Sequence, residues 1–149
     1  MTSDLRDLYQ EVIFDHYKKP RNCRPLADAN HHAQGYNPLC GDKVSVYLKV
    51  SDGVIEDVAF EGAGCAIATA SASLMTEALK GRKVADVEPL FRDFHDMVTD
   101  ASPTQPRDLG KLEVLAGVRE FPARVKCATL AWHTLHAALE HAAQPVSTE

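Results

Sequence analysis

A chain of 149 residues suits one domain, residues 1–149, and at that size roughly 70% of the unfolded surface is buried without staples. Hydrophobic residues are 45% and charged residues 25%, which excludes a mainly disordered chain. Sixteen Lys and Arg against 21 Asp and Glu leave a net charge of −5, so the basic surface of a general nucleic-acid binder is missing. The charge-free stretch 62–76 is too short, and too rich in Gly, Ser and Thr, to cross a bilayer. The first residues lack the apolar core of a secretory signal. The expectation is a soluble, cytoplasmic domain that binds neither nucleic acid nor membrane.

In chain order, Leu5, Leu8, Tyr9, Val12, Ile13 and Tyr17 form one helical stripe, which predicts a helix over 4–18 capped by Ser3 and stopped by Pro20. Residues 20–37 read as a loop holding a short edge strand near 33–36. Residues 43–50 alternate, with Val44, Val46, Leu48 and Val50 on one face. Ser51-Asp52-Gly53 is a tight turn, and 54–61 returns with Val54, Val58 and Phe60 inward. A second helix runs over 66–80, carrying Ile67, Ala70, Leu74, Ala78 and Leu79, with Gly81 as its stop. A third starts near Asp86 with Leu90, Phe91, Phe94 and Val98 inward. The segment 99–108 is a polar loop, and Leu109, Leu112, Leu115 and Ala116 predict a short helix. Residues 121–126 read as a turn, Cys127 opens a last helix, and the tail after Ala142 frays. The fold class is α+β: a small antiparallel sheet, a hairpin with a possible short edge strand, covered on one face by helices.

Four cysteines, Cys23, Cys40, Cys65 and Cys127, read in a reducing compartment as core, metal or reactive thiols. Cys40 directly precedes the first hairpin strand and Cys65 directly follows the second. An antiparallel hairpin brings those two ends together. Cys127 opens a helix that must dock on the same sheet, and Asp42 lies two residues from Cys40. Helix N-termini favour thiolates, and Cys65 and Cys127 both read as sitting at one.

Three thiolates and a carboxylate carry about four negative charges, which cannot all persist without counter-charge. A divalent ion cancels two, and Arg124 and Lys126 beside Cys127 can cancel the rest. Sulfur ligands with one carboxylate suit tetrahedral zinc, or iron in a cluster. With no C-x-x-C pair, zinc ribbons and thioredoxin-type motifs are excluded.

Four stretches in order resemble the U-type proteins of iron–sulfur cluster assembly. They are His16-Tyr17-Lys18-Lys19-Pro20-Arg21-Asn22, Asn37-Pro38-Leu39-Cys40-Gly41-Asp42, Gly62-Ala63-Gly64-Cys65-Ala66-Ile67-Ala68, and Arg124-Val125-Lys126-Cys127-Ala128-Thr129-Leu130-Ala131-Trp132. Lys126 stands where IscU-like scaffolds carry a histidine, and 90–110 looks like added length. Both features resemble the SufU branch of the IscU/NifU-N-like family.

The resemblance implies a zinc-dependent sulfurtransferase that accepts persulfide sulfur from a SufS-type cysteine desulfurase and serves downstream iron–sulfur assembly proteins. It implies Cys40, Asp42, Cys65 and Cys127 as Zn²⁺ ligands, Cys40 as the sulfur acceptor and Arg124 as support. The resemblance also implies that Cys40 would have to leave the metal to attack, with a partner residue such as a histidine taking its place. The alternative is an IscU-like scaffold holding a transient [2Fe–2S] cluster on the same residues.

Plainer readings stand beside these. Asp42 is an ordinary turn residue by type. Cys23 reads as a bystander thiol. His31 and His32 read as surface loop residues. His133, His136 and His141 read as a solvated helix side with no carboxylate partner. Trp132 falls off the predicted stripe and reads as an extra packing or partner contact.

Overall fold

A computed structural model describes residues 2–38, 41–99, 109–140 and 146–147, with the side chains of 2–9, 119–120 and 146–147 outside the description. Within these, α1 spans Thr2–Lys18, β1 His31–Asn37, β2 Asp42–Ser51, β3 Val54–Ala63, α2 Ala66–Leu79, α3 Val87–Thr99, α4 Pro122–Leu139 and β4 Val146–Ser147. Short 3-10 helices occupy Val84–Asp86 and Gly110–Glu120. The architecture is α+β, as expected, with a sheet in the order β3-β2-β1-β4.

The hairpin forms because Asp52 and Gly53 both take positive φ, 52° and 75°, which matches the twist of a two-residue turn. Val44, Val46 and Leu48 alternate inward and are buried. On β3 the expected inward set is Val54, Val58 and Phe60, but Ile55 is the fully buried residue near the turn and Val54 is only half-buried. The cause is a bulge. Lys49 pairs with Asp57 while Val50 pairs with Ile55, so Glu56 is an extra residue and the parity of β3 switches there. A strict period of two has no means of showing that insertion.

The segment 20–30 is more ordered than a loop reading allows. Residues 21–24 run along the outer edge of β3, where the Phe60 amide donates to the Asn22 carbonyl at 3.0 Å and Cys23 bridges Phe60. Covering that edge removes a site for unwanted strand pairing. The edge strand expected at 33–36 is the longer β1, paired along its length with β2. At its other side β4 pairs in parallel with Gly35 and Tyr36, so the tail expected to fray contributes a strand at 146–147. Residues 100–108 and 141–145 lie outside the described set, which takes in most of the polar loop and His141.

The core lies between the sheet and α2, α4, α3 and the 110–120 helix. Removing a buried side chain such as Leu48, Ile55 or Leu135 from water contributes about 1.5–3 kcal/mol each. The last helix departs from expectation at its start. Pro122 takes its first position, and Phe121 before it has φ −131° and ψ 89°, outside the helical region that a following proline disfavours. The residues read as a turn are therefore its first helical turns. Trp132 is 0% exposed and stacks on Phe94 at 4.6 Å, so it is a core residue and not a partner contact. The helix is buried on almost every side, and an amphipathic stripe does not describe it.

The first helix docks through a polar contact that the hydrophobic stripe did not include. Tyr17 is exposed, whereas His16 is 2% exposed. His16 Nδ1 lies 2.7 Å from Ser73 Oγ, and Nε2 lies 3.5 Å from Glu77 on α2. Ser73 Oγ also accepts from the Arg21 amide at 2.8 Å. Burial, and next the positive charge of Arg21, push the His16 pKa below its ordinary value, against the pull of Glu77 and Asp15. His133 is lowered likewise, by burial first and then by His95 and His136.

Both histidines therefore bind protons less readily folded than unfolded. Stability is complete above the unfolded value of about 6.5 and is lost as pH falls from there toward the folded values. Urea unfolding at a series of pH values is expected to show the midpoint falling below about pH 6.5. In His16→Gln that acid limb is expected to be shallower.

Candidate metal centre

The hairpin ends and two helices deliver the site. Lys43 pairs with Ala63, which sets Asp42, the first residue of β2, against Gly64 and Cys65 just beyond β3. Asp42 is 1% exposed. Its Oδ1 accepts from the Cys65 amide at 2.9 Å and its Oδ2 lies 3.9 Å from Cys65 Sγ. Cys65 caps α2, and its sulfur accepts from the Ala68 amide at 3.4 Å. The helix N-terminus thus supplies a donor and the positive end of a dipole to this thiol. Cys127 comes from α4 and is 0% exposed. One ligand atom from each of Asp42, Cys65 and Cys127 falls within 4.8 Å of the others.

Two glycines make this approach possible. A Cβ on Gly64 would stand 2.8 Å from Asp42 Oδ1, and one on Gly62 would run into the Lys43 carbonyl. Gly64→Ala is accordingly expected to displace the carboxylate and lower metal affinity about ten-fold or more, the range seen when groups orienting a ligand are disturbed. Competition for zinc with a coloured chelator measures it.

The donor chemistry fits a thiophilic dication. Tetrahedral zinc, with sulfur at about 2.3 Å and oxygen at about 2.0–2.2 Å, places its ligands about 3.5–3.8 Å apart. The Asp42–Cys65 separation of 3.9 Å is already close to that. Three donors leave a fourth corner. Cys40, expected there, lies outside the described residues, as does Leu39. Its neighbour Gly41 has φ +74°, in the left-handed region, and its amide donates to the Asn37 carbonyl at 2.8 Å.

The chain matches the NifU-like N-terminal domain family over residues 8–144. It belongs to that family. A zinc-dependent sulfurtransferase SufU of Bacillus subtilis is 44% identical over 133 residues, covering 89% of this chain and 90% of the relative. An iron–sulfur cluster assembly scaffold protein IscU of Streptococcus pyogenes is 42% identical, covering 95% and 88%. Among solved structures, a candidate iron–sulfur cluster assembly scaffold protein for the SUF system from Fervidobacterium islandicum AW-1 superposes with a TM-score of 0.79. It is 32% identical, covering 87% of this chain and 94% of that one.

Seen as a NifU-type domain, the chain corrects several expectations. Cys127 does not open a helix: α4 begins at Pro122, so the sulfur lies in its second turn and gains nothing from the helix N-terminus. Of the two described cysteines of the site, only Cys65 has that advantage. Arg124 is exposed in the first turn of α4, and Lys126 is half-buried beside Cys127.

The histidines differ in part from their sequence reading: His32 is exposed, as expected, but in a strand and not in a loop. His31 and His32 lie in β1: His31 Nδ1 is 3.1 Å from the Ala138 carbonyl, and His32 stacks on Tyr47 at 4.9 Å. His136 does have carboxylate neighbours, Glu88 of α3 at 3.5 Å and Glu140 at 3.1 Å. Among the described residues the only metal-capable group is the one at Asp42. Cys23 is exposed, and burial of its sulfur, then Glu61, raises its pKa, which suits an unreactive thiol.

One residue of the site was not singled out by sequence. Asn37, 0% exposed at the end of β1, places Nδ2 3.4 Å from Asp42 Oδ2 and 3.6 Å from Cys127 Sγ. The available signal was its parity, since Ala33, Gly35 and Asn37 form the buried face of β1.

Proposed function

We propose that this chain is a zinc-dependent sulfur-transfer protein. In this reading it accepts persulfide sulfur from a SufS-type cysteine desulfurase and passes it on for iron–sulfur cluster assembly in the cytoplasm. The convergence of Asp42, Cys65 and Cys127 within 4.8 Å carries the reading. The SufU relative of B. subtilis, named a zinc-dependent sulfurtransferase, supports it. So does Lys126 in place of the histidine of IscU-like scaffolds.

Asp42, Cys65, Cys127 and Cys40 hold the ion. When bound, zinc supplies two positive charges that keep the thiols ionised near neutral pH. The Cys40 thiolate attacks the outer sulfur of the desulfurase persulfide. A new S–S bond forms at Cys40, the old one breaks, and the desulfurase thiolate leaves with the electron pair. Gly41, next to Cys40, takes φ +74°, a conformation that glycine adopts without strain. Arg124, in the turn before Cys127, adds positive charge on the approach.

The test is direct. The zinc-loaded chain is incubated with a SufS-type desulfurase and cysteine, then digested and weighed. One added sulfur on the Cys40 peptide supports the proposal, and its absence under turnover rejects it.

A second reading, a scaffold for a [2Fe–2S] cluster, is favoured by the 42% identity to the S. pyogenes IscU. It predicts a coloured, transferable cluster after anaerobic reconstitution with iron and sulfide.

A further inference from the structure

We infer that Asn37 is a positioning residue whose side-chain amide ties two of the metal ligands, Asp42 and Cys127, into one rigid platform. The inference rests on the metal-site reading above. The three described donors come from different elements: β2, the cap of α2 and the second turn of α4. Cys65 and Asp42 are locked to each other through the Cys65 amide, and Cys65 is locked to its own helix through the Ala68 amide. Asn37 adds the link to α4. Its Nδ2 carries two hydrogens and has two acceptors in reach, Asp42 Oδ2 at 3.4 Å and Cys127 Sγ at 3.6 Å.

The chemistry of these acceptors fixes the orientation of the amide. A carboxylate and a thiolate both accept, so the NH₂ end of the side chain and not its oxygen must face them. An N–H pointed at a metal-bound thiolate withdraws charge from sulfur and holds its direction. The residue is fully buried at the end of β1. Its strand neighbour Gly35 lets α4 pack close, because a Cβ there would collide with Thr134. The spacing of β1 against α4 therefore sets the reach of the Asn37 amide to Cys127. Each of the three described ligands is thus held by a donor of this chain.

The test uses the full chain loaded with cobalt(II), whose thiolate charge-transfer band reports the electron density on bound sulfur. Asn37→Leu keeps the volume and removes both donors. The band is expected to move to lower energy, and metal release to a chelator to speed up about ten- to a hundred-fold, while the metal-free chain melts no lower than the parent. Asn37→Ser, with one donor, is expected to fall between. An unchanged band and release rate in both variants overturns the proposal. So does a loss of metal-free stability with an unshifted band, which marks a merely structural role.

Should neither variant fold, the parent chain loaded with cadmium-113 decides. Coupling of the metal to an Asn37 side-chain proton supports the proposal, and free exchange of those protons with solvent overturns it. If the parent chain binds neither metal, the site reading itself fails. If it binds and the variants behave as the parent, only the role of Asn37 fails.

Discussion

Cys40→Ala is expected to abolish sulfur acceptance while leaving a metal-binding protein. With the desulfurase in turnover, no persulfide should accumulate on the variant, and its stimulation of cysteine consumption should drop to background, a loss of two orders of magnitude or more. Zinc should still bind, more weakly, because Asp42, Cys65 and Cys127 already stand within 4.8 Å of one another. Their positions are set by hairpin register, a helix cap and the packing of α4, none of which the substitution touches. The two readouts separate a reacting sulfur from a purely structural one. A thiol needed only to hold the ion would lose zinc and activity together. Normal stimulation by the variant would remove Cys40 from the mechanism.

Removing zinc is expected to lower the melting temperature by about 10–15 °C. A ligand at a thousand times its dissociation constant stabilises the folded chain by about 4 kcal/mol. For a domain of this size each kcal/mol is worth about 2–4 °C or slightly more. The physical origin is local. Without the dication, a buried carboxylate and two cysteine side chains share a site of a few ångströms with no common ligand to bind them together. The elements that meet there, the two hairpin ends, α2 and α4, lose a common tie. Thermal melts of the zinc-loaded and chelator-treated chain measure the difference. Equal melting temperatures would mean that the site contributes nothing to the fold.

How far the site could be read from the sequence depended on which contacts were local. The meeting of the hairpin ends was legible because topology dictates it: a strand start and a strand end in antiparallel pairing are neighbours, and the pair the structure describes there is Asp42 with Cys65, while the expected pair of Cys40 with Cys65 lies outside the described residues. The alternation of Val44, Val46 and Leu48 was legible for the same reason. The arrival of Cys127 was expected, but its place in the helix was not. Pro122 favours a first helical position as readily as a turn, and only the packing of α4 decides between them.

The bulge at Glu56 left no trace in the residue pattern, so Ile55 and Val54 exchanged their expected faces. Burial of His16 and Asn37 was hidden because each is polar and satisfied by partners distant in sequence. Ser73 lies 57 residues from His16, and Cys127 lies 90 residues from Asn37. Trp132 looked misplaced against a single stripe because α4 is covered on nearly every side. Family membership follows from the match over 8–144. No helix of the described residues is long and apolar enough to cross a membrane.

Zinc-edge X-ray absorption on stoichiometrically loaded protein tests the account at its centre. It should return a four-coordinate shell of three sulfurs at about 2.3 Å and one light atom at about 2.0 Å, with the light atom assigned to Asp42 by its loss in Asp42→Ala. A shell without sulfur, or one dominated by the multiple scattering of histidine rings, would contradict it.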